Sequence, residues 1–213
     1  MKNHLHFKIS IDAFINMSIQ NLQKYLPENT LPFLKSWFGD YYIHIKITRG
    51  RNSKLGDYRK MPDKSHQITI NSTLEPQLFF FVLTHELAHM IAFEKFGKRI
   101  LPHGQEWKHT FRHMLVESLS IYTEDLKPII VKFAKSPKAN FMASPDLVRY
   151  FHLKELPDNH SFVEDLQPRN QFIHNKQRYV LIEKLKKNYL CKNIDTGRNY
   201  IFKGLAKVEK TTS

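Results

Sequence analysis

The chain carries one cysteine, Cys191, among its 213 residues. A lone thiol excludes an internal disulfide, and it excludes any zinc site built on two or more thiolates. Cysteine this sparse fits a reducing compartment, so a cytoplasmic location is expected. The opening stretch MKNHLHFKISIDAFINMS has no apolar core of the length a secretory signal needs. Long apolar runs are missing as well. LFFFVL, at 78–83, stops at Thr84, His85 and Glu86, whereas crossing a bilayer takes about 20 apolar residues. The run therefore reads as a core helix, and no membrane partner is expected. Low-complexity tracts and internal repeats are also absent, and 41% apolar with 25% charged residues is the composition of a globular protein.

Acidic residues are the minority. Lys and Arg number 33 against 20 Asp and Glu, a net charge of +13 with a sequence pI of 9.7. An excess of this size points to a polyanionic partner, here nucleic acid.

Apolar positions Phe14, Ile15, Ile19, Leu22 and Leu26 recur at helical spacing over 12–26. Pro27 and Pro32 break that pattern, and a short helix follows around 32–38. YYIHIKITRG (41–50) and HQITINSTL (66–74) read as strands, with RNSKLGDYRK between them as a polar, glycine-containing loop. Pro76 suits the first turn of the next helix and Gly97 its end. That helix is apolar nearly all round and should run through the middle of the domain. After a turn at 101–103, a further helix presents Trp107, Phe111, Met114 and Leu115 inward, and shorter helices follow at 125–135 and 145–156. Beyond Pro157 strand-like runs flank an Asp-Thr-Gly turn, and 160–213 holds 11 Lys and Arg against 5 Asp and Glu. The expected organisation is an α+β domain over 1–157 and a small basic β module over 158–213.

His85 and His89 lie four apart on the central helix and share a face. Two imidazoles so placed can hold one zinc ion, while Glu86, next in sequence to the first, is placed to act as a general base on water. This HExxH pattern interrupts a buried run. Burying such groups unpaired costs several kcal/mol, and a metal removes that penalty. A catalytic zinc needs a third protein ligand and an open position. The HExxHxxGxxH form is excluded, because position 92 is Ala and position 95 is Lys. His103, in a turn beside Gly104, can swing back over the helix. Glu106 is its rival, and His109 and His113 read as surface residues.

HELAH at 85–89 and HGQEWK at 103–108, preceded by KITRGRNSKLGDYR and ITIN, resemble the SprT family of zinc metallopeptidases, and more narrowly its Bacteroidetes-type members. The similarity runs from roughly 20 to 208, through AHMIAFEKFGKRILPHGQEWK, KSPKA, SPDL and TGRNYIF. It implies a zincin-like domain with a small sheet beside the active-site helix, zinc on His85, His89 and His103, and Glu86 as general base. It also implies a bacterial cytosol or nucleoid. Eukaryotic relatives of the Spartan type cleave proteins crosslinked to DNA. Many relatives end in a four-cysteine zinc ribbon, which this chain cannot form.

Two basic stretches are candidates for nucleic-acid contact: Arg49, Arg51, Lys54, Arg59 and Lys60 near the motif, and Lys186, Lys187 and Arg198 in the module. Of the module's aromatics, Phe172, Tyr179, Tyr189, Tyr200 and Phe202, most are expected in its core. The function expected is zinc-dependent peptide hydrolysis on nucleic-acid-associated proteins. The competing readings are a nucleic-acid-binding accessory protein with a structural zinc, and zinc hydrolysis of a non-protein amide or ester.

Overall fold

The computed structural model describes residues 21–51, 54–140, 143–153 and 156–211. The opening stretch and most of the helix expected over 12–26 lie outside these. The end of that helix is visible: 21–22 are helical, and Gln23–Tyr25 forms one 3₁₀ turn, with Tyr25 stacked on Phe79 at 5.3 Å. The chain is mixed α+β and divides into two compact units, Met1–Asn140 and Phe141–Ser213.

In the first unit, α1 (Leu31–Phe38) precedes a three-stranded sheet of β1 (Ile43–Thr48), β2 (Gly56–Lys60) and β3 (His66–Asn71). The order is β1-β3-β2, with β1 parallel and β2 antiparallel to β3. Strand β2 falls within the stretch expected to be loop. Its residues GDYRK offer no apolar alternation, and pairing with β3, Gly56 opposite Ile70 and Tyr58 opposite Ile68, makes it a strand.

Helix α2 (Pro76–Phe96) is the spine of this unit. Glu75 caps it, its carboxylate accepting from the N–H groups of Leu78 at 2.9 Å and Gln77 at 3.2 Å. Pro76 follows at the first position, where its missing N–H costs nothing. Gly97 ends the helix at φ +80°, a left-handed conformation that disfavours a side chain. The apolar run accounts for the burial: Phe79, Phe80, Leu83, Leu87, Ala88 and Met90 are fully enclosed. Helix α2 packs on β2 and β3 and on α3 (Gln105–Glu117), which in turn meets α4 (Lys127–Ala134). Phe81, Phe111 and Phe133, one from each of these helices, meet edge to face at 5.4 to 6.0 Å.

The second unit contains α5 (Pro145–Leu153) and β4 (His160–Phe162), β5 (Gln171–His174), β6 (Gln177–Lys184), β7 (Asn188–Asn193), β8 (Asn199–Lys203) and β9 (Lys207–Lys210). The strands form one sheet in the order β4-β9-β5-β6-β7-β8. Helix α5 falls in this unit, and its Arg149 bridges Glu164 at 2.5 Å and Asp165 at 2.6 Å. Phe172, Tyr179, Tyr189 and Phe202 are buried with Leu181, Cys191 and Val208, while Tyr200 is 38% exposed. Alternation along the strands turns the first four inward. Among the described residues, no helix is long and apolar enough to cross a membrane.

Candidate metal centre

Helix α2 presents His85 and His89 on one face, and the turn before α3 brings His103 over them. The three ring nitrogens available as metal ligands lie within 4.8 Å of one another. His89 Nε2 and His103 Nε2 are 3.1 Å apart. Two nitrogens on a tetrahedral zinc, each about 2.05 Å from it, sit about 3.3 Å apart. The donor set therefore fits a metal ion. Glu106 is not part of this cluster. Its Oε2 lies against Gly104, 3.0 Å from where a Cβ would stand. His109 and His113 are exposed.

Trp107 forms the floor. It is wholly buried, and its ring contacts His85, His89 and His103 at 4.8, 5.2 and 4.7 Å. Its indole N–H donates to the backbone carbonyl of His85 at 3.4 Å. The first turn of α3, which carries Trp107, is thus tied to the helix that carries His85. On the other side Tyr58 of β2 lies parallel to the His89 ring.

This setting favours neutral imidazoles. Burial, and then the positive charge His89 and His103 would carry, pushes His85 down to about 3. Burial and His103 push His89 to about 4, and burial lowers His103. Neutral imidazole is the form that binds a metal.

Glu86, next to His85, lies against β2, its Oε1 2.6 Å from where a Cβ on Gly56 would stand, and is 7% exposed. Burial, and then the Asp57 charge, raises its carboxyl to about 8. Lys54, Arg51 and the backbone of Tyr58 oppose that rise. A carboxyl pushed toward neutrality can exchange a proton near pH 7.

The basic residues near the motif are largely engaged within the fold. Arg51 donates to Asn71 Oδ1 at 2.9 Å and to Thr69 Oγ1 at 3.3 Å. Lys54 and Arg59 both pair with Asp57, at 2.7 and 2.9 Å. Burial works to raise the Asp57 carboxyl, but those two hydrogen bonds outweigh it and hold it below the usual range. Lys60 meets Glu94 at 2.8 Å and buried His66 at 3.0 Å. Arg49, Lys186, Lys187 and Arg198 are exposed.

Sequence reasoning missed Gly56. The signal was a glycine in a short polar stretch just before a tyrosine, and a glycine inside a strand marks a close approach. Trp107 was read only as a core residue.

A stretch of 56 residues is 41% identical to the protein SprT of Yersinia enterocolitica, serotype O:8, biotype 1B. The match takes in 24% of this chain and 32% of that protein, so it spans about a third of the curated relative. This partial match supports a SprT-like relationship. No family model matches the chain, and no solved structure matches it.

Proposed function

We propose that the chain is a zinc-dependent metallopeptidase of the SprT type, with a zincin-like first unit, acting on nucleic-acid-associated proteins in a bacterial cytosol. The convergence of His85, His89 and His103 beside a buried carboxylate carries this reading. The partial similarity to SprT supports it.

His85, His89 and His103 would hold the zinc, leaving a fourth position open. A zinc ion bound there supplies Lewis-acid polarisation of the scissile carbonyl and lowers the pKa of water at its open position to about 7. Glu86 takes the proton from the attacking water and returns it to the leaving amine. Its burial against Gly56 holds the carboxylate in one place, so little reorganisation is needed. Trp107 keeps water from the underside of the imidazoles. Strand β2 is at the edge of its sheet, leaving backbone groups to align an extended peptide.

The net charge of +13 supports a nucleic-acid-bound substrate. Exposed Arg49, Lys186, Lys187 and Arg198 are the phosphate contacts proposed, because the other named cations already have partners in the fold.

The deciding experiment uses zinc-loaded protein and histone as substrate, alone and with single-stranded or duplex DNA. The wild type is expected to cleave, and Glu86→Gln is expected to keep zinc and lose cleavage. Glu86→Gln cleaving at the wild-type rate removes the general base. Zinc and DNA binding with no cleavage under any condition favours an accessory protein.

A further inference from the structure

Gly56 opens β2, opposite Ile70 of β3, with its Cα facing α2. A Cβ placed on it would stand 2.6 Å from Glu86 Oε1, 2.9 Å from Glu86 Cγ and 2.7 Å from Val82 Cγ1. All three distances are well inside van der Waals contact. Two residues on, the backbone of Tyr58 favours the charged form of the Glu86 carboxylate. The carboxylate therefore sits in a slot with one wall bare of side chain. Any side chain at 56 must displace the carboxylate or push β2 off α2. Asp57 and Arg59 alternate to the opposite face, where they pair with each other, so the same short strand separates a charged outer side from a bare inner one.

We propose that Gly56 is a positioning residue that reserves the space in which the Glu86 carboxylate is held. This rests on the reading of Glu86 as general base. Gly56 touches neither metal nor substrate and acts only through Glu86.

The test separates positioning from packing by removing Val82, the apolar half of the clash. Gly56→Ala, Val82→Ala and the double variant are compared. The double variant is expected to fold and to retain zinc. Its kcat on histone should still fall about 100-fold, the cost of a misplacement of about 1 Å, with KM changed less than about twofold. Its crystal structure should show the Glu86 carboxylate shifted. Cleavage at the Val82→Ala rate, or an unmoved carboxylate, overturns the assignment.

A second measurement needs neither zinc nor activity. In metal-free protein, Gly56→Ala should lower the melting temperature more when Glu86 is present than in a Glu86→Ala background. Equal losses in the two backgrounds also overturn the assignment. If Glu86→Gln cleaves like the wild type, the general-base reading fails, while the melting comparison still decides whether Gly56 makes room for Glu86.

Discussion

The ring of Tyr58 lies parallel to that of His89, their planes 2° apart and centroids 6.2 Å apart, while its hydroxyl meets His66 Nδ1 at 3.1 Å. One side chain thus joins the metal centre to a buried polar group behind it. His66 is 2% exposed, and its other nitrogen faces Lys60 Nζ at 3.0 Å, with Glu94 Oε1 at 3.4 Å. Burial and then Lys60 lower the pKa of His66 against the pull of Glu94. Burial and Glu94 raise the phenol of Tyr58 well above its usual range, so it remains a hydroxyl.

Tyr58→Phe keeps the ring over His89 but strips His66 of a hydrogen-bond partner. Stability in chemical denaturation is expected to fall by about 1–3 kcal/mol, with zinc stoichiometry unchanged. Tyr58→Ala loses the ring as well, and zinc affinity in a chelator competition should fall about tenfold.

His103→Ala is expected to weaken zinc binding by more than 100-fold, above the 10–100-fold typical of outer-shell groups. Glu106→Ala should leave affinity unchanged, since its carboxylate lies against Gly104 instead. The same competition assay separates the two residues.

The metal-free protein is expected to be most stable near pH 6.5. His85 and His89 drop from 6.5 to about 3 and about 4 on folding, so below 6.5 the unfolded chain binds more protons and stability falls with pH. Glu86 rises from 4.5 to about 8, so between those values the folded state binds more protons and stability is lost as pH rises. These two histidines, joined by His103 and His66, whose pKa values also fall, outweigh one glutamate between 4.5 and 6.5, and well above 6.5 Glu86 acts nearly alone. Bound zinc favours the Glu86 anion and should remove the decline on the alkaline side. Melting temperatures at pH 5, 6.5 and 8, with and without zinc, check both limbs.

Charge reversal at Arg51 is expected to destabilise the fold, because its guanidinium holds Asn71 and Thr69. Reversal at Arg49, Lys186, Lys187 or Arg198 should leave melting unchanged. It should reduce the salt dependence of duplex binding, with the slope of log K falling by about 1 for each lost phosphate contact. Fluorescence anisotropy over a salt series reads this directly.

Legibility in the sequence followed punctuation and apolar content. Helix α2 was readable from Pro76 to Gly97 because both ends carry residues with a conformational reason to be there. The inward stripe of α3, Trp107, Phe111, Met114 and Leu115, follows from helical spacing alone. Strand β2 was not readable, since at a sheet edge its backbone pairing holds it and its side chains need no pattern. The role of Gly56 followed β2 into obscurity: a residue without a side chain leaves no trace of what it makes room for.

The chain has two tryptophans. Trp37 is held by Glu117 and stacked on Phe80, whereas Trp107 lies under all three imidazoles. One of the two intrinsic fluorophores of this type therefore lies beside the metal centre, and a change in its emission on adding metal should follow occupancy in real time with no dye attached.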